Sequence, residues 1–107
     1  MRVLNLTILL MSFIIFKANA QDLNKLWEQY TKKEYSAVLE EALPLLTRNP
    51  DNMGLNLLIG RAYTENGRYS EAIPYLKKVQ GNDINKPNKA WSLNYLARCY
   101  YFTDNPG

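Results

Sequence analysis

Apolar residues return every three or four positions through most of this chain, in stretches separated by turn-forming residues. Leu23, Leu26, Trp27 and Tyr30 mark one helical face. Lys32-Lys33-Glu34 interrupts it, and the period resumes from Tyr35 to Thr47 through Val38, Leu39, Ala42, Leu45 and Leu46. Asn49-Pro50-Asp51-Asn52 is a firm stop. A third helix is expected from Leu55 to Glu65, closed by the tight turn Asn66-Gly67, and a fourth from Tyr69 to Gln80. The segment from Gly81 to Asn88, rich in Gly, Asn, Asp and Pro, reads as a longer connection. A fifth helix is expected from Ala90 to Phe102, followed by the turn residues Thr103 to Gly107. Strand alternation is almost absent, so the expected fold class is all-α.

The helical segments repeat. Tyr35-Ser36 recurs as Tyr69-Ser70, an offset of 34, and the same offset aligns Val38 and Leu39 with Ala72 and Ile73, and Leu45 with Val79. A rival register, offset by 30, pairs Glu41-Ala42-Leu43-Pro44 with Glu71-Ala72-Ile73-Pro74. The longer period is preferred because it also places Pro50 at the end of a second helix. The third unit is offset by 37, pairing Gly60 with Ala97, Tyr63 with Tyr100 and Pro50 with Pro87. The three extra residues are then expected between Val79 and Pro87.

At these positions the chain resembles the tetratricopeptide repeat (TPR) family, whose pattern runs W-x2-L-G-x2-Y, then A-x3-F, then P over about 34 residues. The second unit supplies Asn56-x2-Ile59-Gly60-x2-Tyr63 and Ala72-x3-Leu76, and the third Leu93-x2-Leu96-Ala97-x2-Tyr100. The first departs from it, with Leu26 at the glycine position and Gln29 at the tyrosine position. The resemblance implies an α-solenoid of helix-turn-helix repeats, about two and a half of them, over residues 21–52, 53–87 and a truncated 88–107. It further implies a concave face built mostly from first helices. The groove positions it assigns are Trp27 and Tyr30, then Leu57, Arg61, Thr64 and Glu65, then Trp91, Asn94, Arg98 and Tyr101. Trp, Tyr and Arg are the residues that interface hot spots favour. Packing is the competing role for both tryptophans. Small residues at Gly60 and Ala62 are expected where a neighbouring helix passes closely, and Gly67 where the backbone turns. Pro44 and Pro74, inside second helices, each remove a backbone hydrogen bond.

The first twenty residues change the charge picture. Met1-Arg2, the apolar run from Val3 to Phe16 and Ala18-Asn19-Ala20 have the order of a signal peptide cut before Gln21. The run is about 14 residues, short for a membrane span. Arg2 and Lys17 account for two of the 13 basic residues against 10 acidic ones, leaving a net charge near +1 on the remainder. No basic stripe of the kind nucleic acid requires remains. Cys99 is the single cysteine, so no intramolecular disulfide forms, and it stands too far from the cut for lipid attachment there. It reads as a small buried apolar residue.

Catalytic signals are sparse. The chain has no histidine, the commonest general base and a leading metal ligand. Glu40 and Glu41 are adjacent and diverge on a helix, and Asp83 and Asp104 lack a second carboxylate at motif spacing. The Asn- and Asp-rich loops lack the acidic spacing of a calcium loop. The expectation is a non-enzyme with no cofactor, no metal and no small-molecule substrate, binding a protein or peptide.

The fifth helix is apolar on nearly every face, interrupted only by Ser92, Asn94 and Arg98, whereas a capping helix is polar on its outer side. Either the chain leads a longer protein, which is the favoured reading, or a partner or second copy covers that face. The function expected is an exported scaffold or adaptor of a bacterial periplasm or cell envelope, with an OmpA-like, peptidoglycan-binding domain as one continuation. The alternatives are the repeat module of an exported enzyme such as a protease, and a small dimeric adaptor.

Overall fold

The computed structural model describes residues 20–103, and the signal-peptide expectation and the turn expected at 104–107 fall outside them. Five helices follow one another: α1 (Ala20–Thr31), α2 (Tyr35–Arg48), α3 (Met53–Glu65), α4 (Tyr69–Asn82) and α5 (Lys86–Thr103). No strand occurs among the described residues, and none of their helices is long and apolar enough to cross a membrane.

Each helix packs on its sequence neighbours. The backbone of α3 also approaches α1 and α5, while the backbones of α2 and α4 do not approach each other. The helices therefore fall into a row of three (α1, α3, α5) backed by a row of two. Burial follows from that placement. Nine residues of α3 are buried, on all sides of the helix, as expected of an element with neighbours all round. The outer helices α2 and α4 bury only Val38, Leu39 and Ala42, and Ala72, Leu76 and Val79. Leu26, Leu55, Leu58, Ile59 and Leu76 are essentially inaccessible, each worth about 1.5–3 kcal/mol of transfer from water.

The period read from the sequence holds at the level of single hydrogen bonds. Leaving α1, Lys32 N donates to Glu28 O, Lys33 N to Tyr30 O, and Glu34 N to Gln29 O. Leaving α3, Asn66 N donates to Ala62 O, Gly67 N to Thr64 O, and Arg68 N to Tyr63 O. The second set is the first moved along by 34. The pattern closes a helix on a left-handed residue, which is Gly67 (φ 77°) after α3 and Lys33 (φ 63°) after α1. The same shift carries Asn49 N–Leu45 O onto Asp83 N–Val79 O at the ends of α2 and α4. The glycine expected to turn the chain does so at Gly67; a lysine does the same work at Lys33.

The third unit departs from expectation at its start. α4 runs to Asn82, only residues 83–85 connect it to α5, and α5 opens at Lys86 rather than Ala90. The extra residues are a further helical turn and not a longer loop. Asn85 caps it, its Oδ1 accepting from Asn88 N at 3.1 Å, and Asp83 braces Asn85 and Asn88 in turn. Pro87 falls in the first turn, where the missing N–H has no intrahelical acceptor to lose. Asn52 caps α3 in the same way, accepting from Leu55 N at 3.0 Å. Buried Asn56 then donates to Pro50 O and Asn52 O, tying the connecting turn down.

Gly60 marks the closest approach between helices. A Cβ built there would stand 2.5 Å from Leu76 Cδ2 and 2.6 Å from its Cγ, with Leu76 N at 3.5 Å. The neighbour that forbids a larger residue is thus a side chain of α4 first and its backbone second. Pro44 and Pro74 lie inside α2 and α4 on their exposed sides.

Candidate functional site

The row of α1, α3 and α5 brings four aromatic rings around one arginine. α1 contributes Trp27 and Tyr30, one turn apart, and α5 contributes Trp91 and Tyr95, also one turn apart. Arg61 projects from α3 between them. Its guanidinium carbon lies 4.4 Å from the Trp91 ring centroid, 4.9 Å from those of Tyr30 and Tyr95, and 5.1 Å from that of Trp27. These are cation–π distances.

The two tyrosines are the floor. Tyr30 and Tyr95 are buried, and their hydroxyls share a hydrogen bond of 2.9 Å across 65 residues of sequence. Arg61 Nε donates to the Tyr30 hydroxyl at 3.3 Å. Burial, and then the bond to Tyr95, pushes the Tyr30 hydroxyl far above the ordinary tyrosine range, against the lowering effect of Arg61. The phenol is neutral at any physiological pH, so Arg61 receives no compensating charge from it. Trp27 makes an edge-on contact with Tyr30, and Tyr35 does the same from the start of α2.

The two indoles are the walls. Trp27 is half-buried and Trp91 is 48% exposed, so each keeps ring surface for another molecule. One turn beyond Arg61, Glu65 accepts from Arg98 Nη1 at 2.8 Å, and the Arg98 guanidinium lies 4.9 Å from the Tyr95 ring. The bond to Glu65 is the main cause raising the Arg98 pKa. The Arg98–Glu65 pair is internally neutral and partly exposed.

The ten positions assigned from sequence divide into distinct groups. Trp27, Tyr30, Arg61 and Trp91 meet in the cluster, and Glu65 and Arg98 pair beside it. Asn94 is exposed between Trp91 and Tyr95 in sequence, and Tyr101 is exposed farther along α5, at 79%. Leu57 and Thr64 belong to the core and have no surface to offer a ligand. Thr64 donates to Gly60 O, and its hydroxyl meets Cys99 Sγ at 3.2 Å. Burial raises the Cys99 thiol pKa, opposed by the Thr64 hydroxyl, so this cysteine behaves as the buried apolar residue expected. Tyr95 is the cluster residue that the sequence reading does not assign. Its signal is present in the chain, since it follows Trp91 by four positions as Tyr30 follows Trp27 by three.

Elsewhere the surface is less specific. A shallow cleft between α1 and α2, lined by Asp22, Lys25, Glu40, Glu41, Pro44 and Arg48 among others, mixes both charges and lies apart from the cluster. Leu93 and Phe102 are exposed on α5, Phe102 stacked on Tyr69 of α4. No group of three or more His, Cys, Asp or Glu suited to a metal ion occurs among the described residues. Comparison of the chain with family models, with curated proteins and with solved structures returned no match.

Proposed function

We propose that the chain is a TPR-like protein-interaction module, exported into a bacterial envelope, which holds a peptide or protein partner on the face made by α1, α3 and α5. The observation that carries this reading is the Arg61 cluster: a charged guanidinium walled by two accessible indoles, converging from three helices. Trp91 keeps about half its surface there, so part of the cluster is open to another molecule. The hydrogen bonds that recur at the repeat period, and the backbone approach of α3 to both α1 and α5, support the solenoid part of the reading. The role is scaffold or adaptor rather than catalyst.

The test is site-specific photo-crosslinking in the cell that expresses the protein. A photoreactive amino acid replaces Asn94 or Arg98 on the row of three, and Glu40 or Glu41 on the exposed side of α2. Crosslinked partner is expected from the first pair only. Equal yield from both faces, or yield from α2 alone, would refute the groove assignment.

A further inference from the structure

No carboxylate among the described residues forms an ion pair with Arg61. Among the described residues, the hydrogen bond it makes is the one from Nε to Tyr30, and Glu65, one turn away, is engaged by Arg98. Four rings lie within 5.1 Å of the guanidinium carbon, and its two Nη groups make no hydrogen bond to a described residue yet are not buried. A guanidinium edge presents parallel N–H groups that match the two oxygens of a carboxylate. The apolar walls raise the strength of such a pair by excluding water, and the same cation repels Lys and Arg side chains. The walls also come from the two helices that flank α3, Trp27 from α1 and Trp91 from α5. In an extended peptide, side chains two positions apart share a face at about 6.6 Å. Side chains on either side of such an acid therefore fall towards the two indoles beside Arg61.

We propose, on the footing of the groove reading above, that this face selects an extended peptide with the pattern apolar–x–acid–x–apolar. The acid is an internal Asp or Glu whose carboxylate accepts from the Nη edge of Arg61. The flanking apolar side chains rest on Trp27 and Trp91.

The chain supplies its own reporters, because it has two tryptophans and both wall this site. The experiment follows their indole N–H resonances in the 15N-labelled chain during titration with a synthetic nonapeptide carrying Glu between two leucines at two-residue spacing. Three twins carry Gln, Lys or Leu at the Glu position. Both indole resonances are expected to shift saturably with the Glu peptide, and the Gln twin to bind about tenfold more weakly or worse, as the loss of a charge-assisted bidentate contact requires. Arg61→Lys, which keeps the charge and loses the fork, is expected to weaken the Glu peptide several-fold while leaving the Gln twin where it was. The twin comparison uses the unaltered chain and does not depend on any variant folding. Equal affinity for the Glu and Gln peptides overturns the carboxylate recognition while leaving a peptide groove in place. Tighter binding of the Lys twin overturns the charge argument. A full set of peptides that moves neither indole overturns the inference, and the crosslinking result then decides separately whether the face binds a partner at all.

Discussion

Replacing Gly60 with alanine sets two effects of known size against each other. Alanine is the better helix former by about 1 kcal/mol, and α3 would gain that in isolation. The new Cβ, however, meets Leu76 Cδ2 at 2.5 Å and Cγ at 2.6 Å, where carbon atoms normally settle at about 3.5–4.0 Å. Leu76 must retreat by about 1 Å to restore that spacing, and it is wholly buried, so its own neighbours must give as well. Overpacking of this kind costs about 1–3 kcal/mol, and the expected net effect of Gly60→Ala is a loss of about 1 kcal/mol. The informative step is to repeat the change in a Leu76→Ala background. That variant is less stable by about 2–5 kcal/mol, but both clashing carbons are gone. The closest remaining atom is the backbone nitrogen at 3.5 Å, an ordinary contact. There Gly60→Ala should reverse sign and stabilise by about 1 kcal/mol, a coupling energy of about 2 kcal/mol. Urea unfolding followed by far-ultraviolet circular dichroism measures all four corners of the cycle, with a stabilising osmolyte added to keep the folded baseline in the weakest variant. A loss at Gly60→Ala of the same size in both backgrounds would show that the glycine is needed for another reason, and the packing argument would fail.

Two further expectations rest on other parts of the fold. Lys33→Gly should stabilise the chain by about 0.5–1 kcal/mol, since a side chain at φ 63° costs about 1–2 kcal/mol and glycine returns part of that as backbone entropy; a neutral or destabilising result in the same urea assay would mean the lysine side chain contributes more than its backbone costs. Stability should also fall in alkali. The hydroxyls of Tyr30, Tyr35 and Tyr63 titrate above the ordinary range, burial being the first cause in each. The unfolded chain therefore releases these protons first, near pH 10. Their contribution is intact below that pH and is lost as pH rises through the folded-state titrations. Tyrosinate absorbance should show a late-ionising group that appears together with loss of helix; simultaneous ionisation of all eight tyrosines in a still-folded chain would contradict it.

Much of the fold can be read from the sequence because its determinants are local. Periodic apolar residues, Asn49-Pro50 and Asn66-Gly67 place four helices to within two residues at most boundaries. The start of α5 is misread because Pro87 and its asparagines have the composition of a loop. The same residues also make a good first turn, and only the hydrogen bonds of Asp83 and Asn85 show which it is. Lys33 gives no glycine signal; its left-handed conformation is imposed by the helices on either side. For the site, repeat spacing gives the helix face but not the depth of a side chain on it. It accordingly assigns Leu57 and Thr64 to a surface they do not reach, and passes over Tyr95. The Arg61 cluster depends on three helices that are distant in sequence, and no local pattern predicts that they converge on one guanidinium. Because of that convergence, Arg61→Ala removes a side chain packed among four rings and would lower stability together with binding, so the lysine exchange is the cleaner probe.

The hydroxyl bond between Tyr30 and Tyr95 has a consequence for how the molecule comes apart. α1 and α5 share no backbone proximity, and in a simple stack of helices each end would fray without the other taking notice. A bond spanning the row links its two ends directly: loosening the first helix costs the last one a hydrogen bond, worth about 0.5–1.5 kcal/mol. The two ends of the row are thus coupled without any approach of their backbones.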